Sequence, residues 1–359
     1  MLGLMALGLT VVMIYTLVKN ALIGTQLAPN EDYQGSVDLI IPIKGQSDFY
    51  LEPWLKNLSS PNHSGARIKI FILIDGHHPN LNVWQELQNK IPFVEIISFI
   101  SRPVGREVVP WMIDQIKEKI TGNVVIIGDP ELVPTIDAFG SIGKLVSEKR
   151  KAYFVLPQTQ KLNTFSEAVA CLNPTLALAS TFGFRKIRRN VSHPLVSISQ
   201  GWMGMPLSMF KDFNWARVNI SSWKEALVKG WELENQTYIL AFGEKHLLRY
   251  YPEDLKIHAQ QLGHYWAELW QKGERSGFWL YLITLFIWSF PVFFFFSHPF
   301  WSLGSILLLV LYRFFTKIVF QESWGAMALH PFGALFWLGT CVWWIVGGLK
   351  SKYGFSRPS

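Results

Sequence analysis

The run Gly122-Asn-Val-Val-Ile-Ile-Gly-Asp-Pro-Glu-Leu-Val-Pro134 decides how this chain folds. Val124 to Ile127 are four consecutive apolar β-formers, which read as a strand buried on both faces and stopped by Gly128. Strands of that kind belong to parallel α/β sheets, which bind ligands beyond the carboxyl ends of their strands. Asp129 and Glu131 stand at that end, flanking Pro130, with Pro134 closing the turn. Two carboxylates so placed can hold a hard divalent cation, and the cation can hold phosphates. A solvated acidic turn would carry the same residues, so the flanking chain has to decide.

Upstream and downstream, strand and helix alternate. Strands are expected at Val37 to Pro42, Ile68 to Ile74, Val94 to Ile100 and Tyr153 to Leu156. Helices are expected at Phe49 to Leu58, Trp84 to Lys90, Val108 to Ile120 and Asp137 to Lys149. This order predicts a mostly parallel sheet with helices on both faces. Asp75, followed by Gly76, ends the second strand and should share an edge with Asp129. An Asp-Gly turn is the plainer reading of that pair. Further on, Ser199 to Pro206 is glycine-rich and apolar, a pocket wall or a buried turn. Trp223 to Phe242 has a helical pattern and carries Glu232 and Glu234, and another helix is expected at Lys256 to Gln271.

Half of the 359 residues are hydrophobic and only 16% are charged, against about 25% in ordinary globular chains. The apolar surplus is concentrated at the two ends. Residues 1 to 18 carry no charge and Lys19 follows; Gly277 to Tyr312 and Gly325 to Leu349 are also uncharged. Runs of this length predict membrane helices, with Ser297 to Phe300 dividing the first tail run. The start lacks the basic residues of a cleaved signal, which favours an uncleaved anchor. The reading is then an integral, multi-pass membrane protein with its middle domain in the cytoplasm. Lys350, Lys352 and Arg357 also ask to be cytoplasmic, which an anchor plus three tail spans does not allow. That conflict leaves two or three tail spans open.

The formal net charge is +7. Arg185-Lys186-Ile-Arg188-Arg189 could meet lipid headgroups or a nucleotide's phosphates, or be a solvated basic loop. No nucleic-acid motif accompanies the charge, so nucleic acid is not an expected partner. Cys171 and Cys341 are the two cysteines; they give neither metal spacing nor a disulfide framework.

Taken in order, the chain resembles family 2 glycosyltransferases of the GT-A fold, above all membrane-bound members that modify lipids. Those include the hopanoid- and carotenoid-associated enzymes and the ceramide glucosyltransferases. The residues that carry the resemblance are Leu39-Ile-Ile-Pro42, Ile74-Asp75-Gly76, Gly105-Arg106, Asp129-Pro-Glu131 and Leu329-His-Pro-Phe-Gly-Ala334. It implies an anchor at 1–24, a GT-A catalytic domain at 36–272 and membrane segments at 277–350. It also implies a nucleotide-sugar donor, a lipid acceptor at the membrane, and a divalent metal (Mg²⁺ or Mn²⁺) on Asp129 and Glu131. Pro42 and Lys44 at the first strand's end, with Asp75, Gly76 and Arg106, would then serve the nucleotide-sugar.

The later motifs depart from the family. The Glu-Asp pair that would supply the base is not intact, and Glu232 and Glu234 are its best matches. The Gln-x-x-Arg-Trp element appears as Gln261-Leu-Gly-His264-Tyr-Trp266. His264 could replace the Arg near the diphosphate, or the aromatic residues could form an interfacial belt. A catalytically silent scaffold and a membrane-bound nucleotidyltransferase stand as the alternatives.

Overall fold

The structure is a computed structural model. It describes residues 2–23, 25–26, 33–43, 54, 57, 65–75, 81–100, 106–135, 137–159, 164, 201–217, 224, 227, 230–231, 238–249, 255–256, 259, 275–320 and 324–352. In chain order the elements are α1 (Leu2–Ile23), β1 (Thr25–Gln26), β2 (Ser36–Ile43), β3 (Arg67–Asp75), α2 (Leu81–Lys90), β4 (Val94–Phe99), α3 (Val108–Ile116), β5 (Val124–Ile127) and β6 (Leu132–Pro134). There follow α4 (Asp137–Lys149), β7 (Ala152–Thr159), β8 (Trp202–Pro206), α5 (Leu207–Asp212), β9 (Tyr238–Arg249), α6 (Arg275–Phe293), α7 (Pro299–Phe320), α8 (Trp324–Ala328) and α9 (His330–Lys352).

The chain divides into two compact units. One comprises Ile23–Gln158 and Phe184–Tyr250; the other comprises Met1–Leu22, Thr159–Gly183 and Tyr251–Ser359.

The first unit is mixed α/β around one sheet of order β1-β9-β7-β8-β5-β2-β3-β4, with β6 paired to β9. β2 is parallel to β3 and to β5, and β3 is parallel to β4. The chain thus lays down β2, β3 and β4 in one direction, then returns to place β5 on the other side of β2. That reversal is the switch point at which open parallel sheets form a ligand crevice. β8 runs antiparallel to β5 and β7. Val37 to Ile43, Ile70 to Ile74 and Val124 to Ile127 are buried without a break, as strands covered on both faces must be. Each such Val, Leu or Ile contributes about 1.5–3 kcal/mol by leaving water.

Polar groups lock β5 beside β2 at the entry end. Asp38, buried within β2, accepts hydrogen bonds from the backbone N–H groups of Thr121 and Gly122, both 2.7 Å. The Ser36 hydroxyl donates to the Asn123 carboxamide at 2.7 Å. These contacts set the register in which Ile40 lies level with both Phe71 and Ile127.

One secondary-structure expectation is corrected. The helical pattern over Trp223 to Phe242 gives way to strand β9 from Tyr238. β9 pairs parallel with β1 and antiparallel with β6, so its backbone is satisfied by partners far away in sequence. The expected turn ending at Pro134 contains β6, whose partner is that same missed strand.

The second unit is helical in its described residues. α6 packs against α9 and α7, burying Trp288, Tyr312, Trp337 and Cys341. The expectation of a multi-pass integral membrane protein is corrected here. Among the described residues no helix is long and apolar enough to cross a membrane. An uncharged stretch of sequence is not an uninterrupted helix. The first tail run is shared between α6, which contains Pro291, and α7, which takes in Arg313 and Lys317. Leu329 separates α8 from α9 in the second run, and α1 includes Lys19 and Asn20.

Candidate functional site

The carboxyl ends of β2, β3 and β5 converge as the apolar runs require. Leu73 pairs with Pro42, and Asp75, two residues on, closes β3 opposite Phe99 of β4. Gly128 carries the β2–β5 ladder one step further by donating its N–H to the Ile40 carbonyl at 3.0 Å. Asp129 follows at once, on the β5 side of the switch point.

Gly128 is required by a close approach. A Cβ there would stand 2.6 Å from Trp202 Nε1 and 2.9 Å from Ile41 Cδ1. With no side chain in the way, the Trp202 indole lies over the turn and donates to the Asp129 carbonyl at 3.4 Å. Trp54 donates from Nε1 to the Pro130 carbonyl at 3.3 Å, and Asn57 donates to the Pro134 carbonyl at 2.9 Å. The Trp54 and Phe139 rings lie 5.8 and 5.9 Å from Trp202. Leu132 N–H closes the turn onto the Asp129 carbonyl at 3.2 Å. Two indoles therefore hold the loop after β5 from outside.

The Asp129 carboxylate is held as firmly. Its Oδ2 accepts the Gly201 N–H at 2.9 Å and meets the Lys224 ammonium at 2.7 Å. The two side chains are 14% and 6% exposed, which makes this a nearly dry ion pair. Lys224, Leu227 and Trp231 are helical and buried, and their spacing puts them on one helical face. The sequence reading missed Lys224. The usable signal was its position on the apolar stripe of Leu227 and Trp231, where lysine is rarely found unless paired.

The remaining expected residues fall as follows. Pro42 is buried in β2, and Glu131 is half-buried beside Pro130. Arg106 is engaged elsewhere: its guanidinium donates to the Ala216 carbonyl and pairs with Asp114 at 3.5 Å. That contact ties the start of α3 to the short 3-10 turn Trp215–Arg217. Lys44, Gly76, Glu232, Glu234, Gln261, His264 and Trp266 lie outside the described residues.

The expected divalent cation can be tested against these donors. Among the described residues no group of three or more His, Cys, Asp or Glu could hold a metal ion. Asp129 Oδ2 already carries an ammonium and an N–H. A divalent ion on that oxygen would have to displace the lysine or sit beside its charge. Among the described residues, Asp129 Oδ2 is taken by protein donors and no ligand set for a resident divalent metal is assembled.

A cavity of about 530 Å³ lies elsewhere, lined by Ile68, Lys69, Gln88, Phe93 and Glu95. It sits at the amino-terminal ends of β3 and β4, away from the strand ends that gather the acidic groups. The chemistry, more than the size of a hollow, marks the switch point as the candidate site.

No protein-family model matches this chain, and no curated protein matches it. Solved structures similar to this chain include the following two. One is the mannosyltransferase PcManGT from Pyrobaculum calidifontis in complex with GDP-Man and Mn²⁺, at 11% identity and a TM-score of 0.48, covering 98% of this chain and 99% of that one. The other is S. aureus TarS, at 12% identity and a TM-score of 0.38, covering 65% of this chain and 42% of that one. At such identities and scores, function has to be argued from the site itself.

Proposed function

We propose that this chain is a glycosyltransferase of the GT-A type, moving a sugar from a nucleotide-sugar donor to a hydroxyl of a lipid acceptor. The observation that carries the reading is the Asp129–Lys224 pair at the switch point between β2 and β5, with Asp75 ending the neighbouring β3. Nucleotides bind at such crevices, and a lysine there suits an anionic diphosphate.

In this reading the bond between the sugar's anomeric carbon and the diphosphate oxygen breaks as the acceptor oxygen bonds to that carbon. The nucleoside diphosphate leaves with the bonding electrons, and the hydroxyl proton passes to a carboxylate base. Glu232 and Glu234, one and three positions after Trp231, are the proposed base candidates. Pro42, Lys44, Asp75 and Gly76 would face the nucleoside. Arg106 is better placed to fix α3 than to bind donor. The expected divalent cation takes no part in these steps.

The lipid acceptor is supported by surface character. Around the turn between α6 and α7, Phe293, Phe296 and Phe300 are 56%, 95% and 77% exposed. Clustered exposed aromatic side chains of this kind suit the boundary region of a lipid surface.

The test is to incubate the protein with UDP-, GDP- and CDP-sugars and a lipid extract and to identify the released nucleotide. Nucleoside diphosphate, with label moving into lipid, is expected. Pyrophosphate would mean nucleotidyl transfer, and no turnover of any donor would leave the scaffold reading. Glu232→Gln or Glu234→Gln, whichever removes the base, should lower kcat by about 10²–10⁴.

A further inference from the structure

α7 is turned inside out. It buries Ser302, Ser305, Leu309, Tyr312 and Arg313, and it exposes Leu303, Ile306, Leu307, Val310, Leu311 and Phe314. A helix on the surface of a protein in water hides its apolar stripe and shows its polar one; this helix does the reverse. Its inner face is covered by α6, where Trp288 lies 5.9 Å from Tyr312, ring centre to ring centre. We propose that the outer stripe packs against the same stripe of a second copy of this chain, with the two helices antiparallel about a twofold axis. The proposal goes beyond the sugar-transfer reading and does not depend on it.

The spacing suits a helix. Leu303, Leu307, Val310 and Phe314 recur at steps of four, three and four, which lets each side chain seat between side chains of a facing helix. The same spacing reads identically in both directions. An axis passing between Leu308 and Leu309 therefore sets Leu303 against the partner's Phe314, Ile306 against the partner's Leu311, and Leu307 against the partner's Val310. Such an isologous contact brings like groups close together, so a self-pairing face has to be free of charge. The chain as a whole carries +7, yet α7 has no charged residue from Pro299 to Tyr312.

The area is sufficient as well. Six side chains, about half exposed on average, present on the order of 500 Å² of apolar surface. Two such faces would hide on the order of 1,000 Å², the size at which a specific interface is expected. A lipid surface would require neither the register nor the symmetry. Phe296 and Phe300, at the turn before this stripe, are left to the lipid contact described above.

The experiment is light scattering on the full chain after gel filtration. At micromolar concentration wild type should weigh twice the 41.2 kDa of one chain. Leu307→Glu puts a charge in the middle of the contact at a side chain that is 71% exposed in the single chain. It should weaken self-association at least about tenfold and give the single-chain mass at the same concentration. Cross-linking tests the direction of the helices. In a Cys171→Ser background, Leu303→Cys chains mixed with Phe314→Cys chains should form a covalent dimer on oxidation, and neither should do so alone. A single-chain mass for wild type, or a doubled mass kept by folded Leu307→Glu, would overturn the proposal. So would a covalent dimer from Leu303→Cys alone, which demands parallel helices. A wild-type monomer whose Leu307→Glu variant loses only its sedimentation with phospholipid vesicles would hand the stripe to lipid instead. Should Leu307→Glu fail to fold, the cross-linking decides by itself, and absence of the mixed dimer overturns the pairing.

Discussion

Removing either half of the Asp129–Lys224 pair should destabilise the sheet unit far more than removing both. With side chains 14% and 6% exposed, neither charge can turn to bulk water when its partner is lost. Lys224→Met leaves a carboxylate whose remaining bond at Oδ2 is the Gly201 N–H, and a buried pair broken on one side costs about 3–5 kcal/mol. Asp129→Asn removes the counter-charge nearest the Lys224 ammonium and should also destabilise the unit. The double variant replaces two buried charges with an amide and an apolar chain of similar volume. Such exchanges are near neutral, so it should lie within about 1 kcal/mol of wild type. If the losses simply added, it would fall by about 6–10 kcal/mol instead. Urea unfolding followed by tryptophan fluorescence reads the difference, because Trp202 and Trp54 pack on the loop that bears Asp129. In melting experiments each single variant should drop by roughly 6–20 °C. Single losses under about 1 kcal/mol, or additive losses in the double variant, would show that the two groups do not form a desolvated pair.

Gly128→Ala should cost about 1–3 kcal/mol by overpacking, since the new methyl would meet Trp202 Nε1 at 2.6 Å; an unchanged urea midpoint would contradict the close approach. The Glu95 carboxyl is held below its ordinary 4.5, first by its hydrogen bond with Lys119 and then by Lys69. A depressed carboxyl contributes stability that is complete above about pH 4.5 and is lost as pH falls through the lower folded value. Glu95→Gln should therefore flatten the stability curve below pH 4.5 by less than about 1 kcal/mol, the pair being partly exposed. Burial pushes the Cys341 thiol up to about 12. In a Cys171→Ser background, a disulfide reagent should label Cys341 only after unfolding; rapid native labelling would contradict its burial. Phe296→Ser combined with Phe300→Ser should lower sedimentation with phospholipid vesicles while leaving the melting temperature within about 2 °C. Undiminished sedimentation would detach these residues from lipid contact.

The elements that were legible in sequence are those whose signals are local. Val124 to Ile127 matched its strand residue for residue because a continuous apolar run ends on a glycine that cannot carry a side chain there. Asp137 to Lys149 matched because its apolar spacing closes on itself within one helix. β9 was misread because strand or helix at Tyr238 to Phe242 is decided by β1 and β6, more than a hundred residues upstream, and not by its own spacing. β6 escaped notice because three residues bounded by proline look like a turn until their partner is known. The sequence placed Asp75 and Asp129 at the ends of their strands. It did not place Lys224, 95 residues beyond Asp129, because an ion pair across that distance leaves no spacing to read. The apolar ends were legible as helices, but composition could not show where each helix would break.

The central claim is that a nucleotide-sugar settles at the carboxyl ends of β2 and β5 beside Asp129 and Lys224. Crystals grown with the nucleoside diphosphate that the transfer assay releases test it directly. The account predicts diphosphate density at those strand ends, against the turn that bears Asp129. A nucleotide seated instead against Lys69 and Glu95, at the amino ends of β3 and β4, would contradict it.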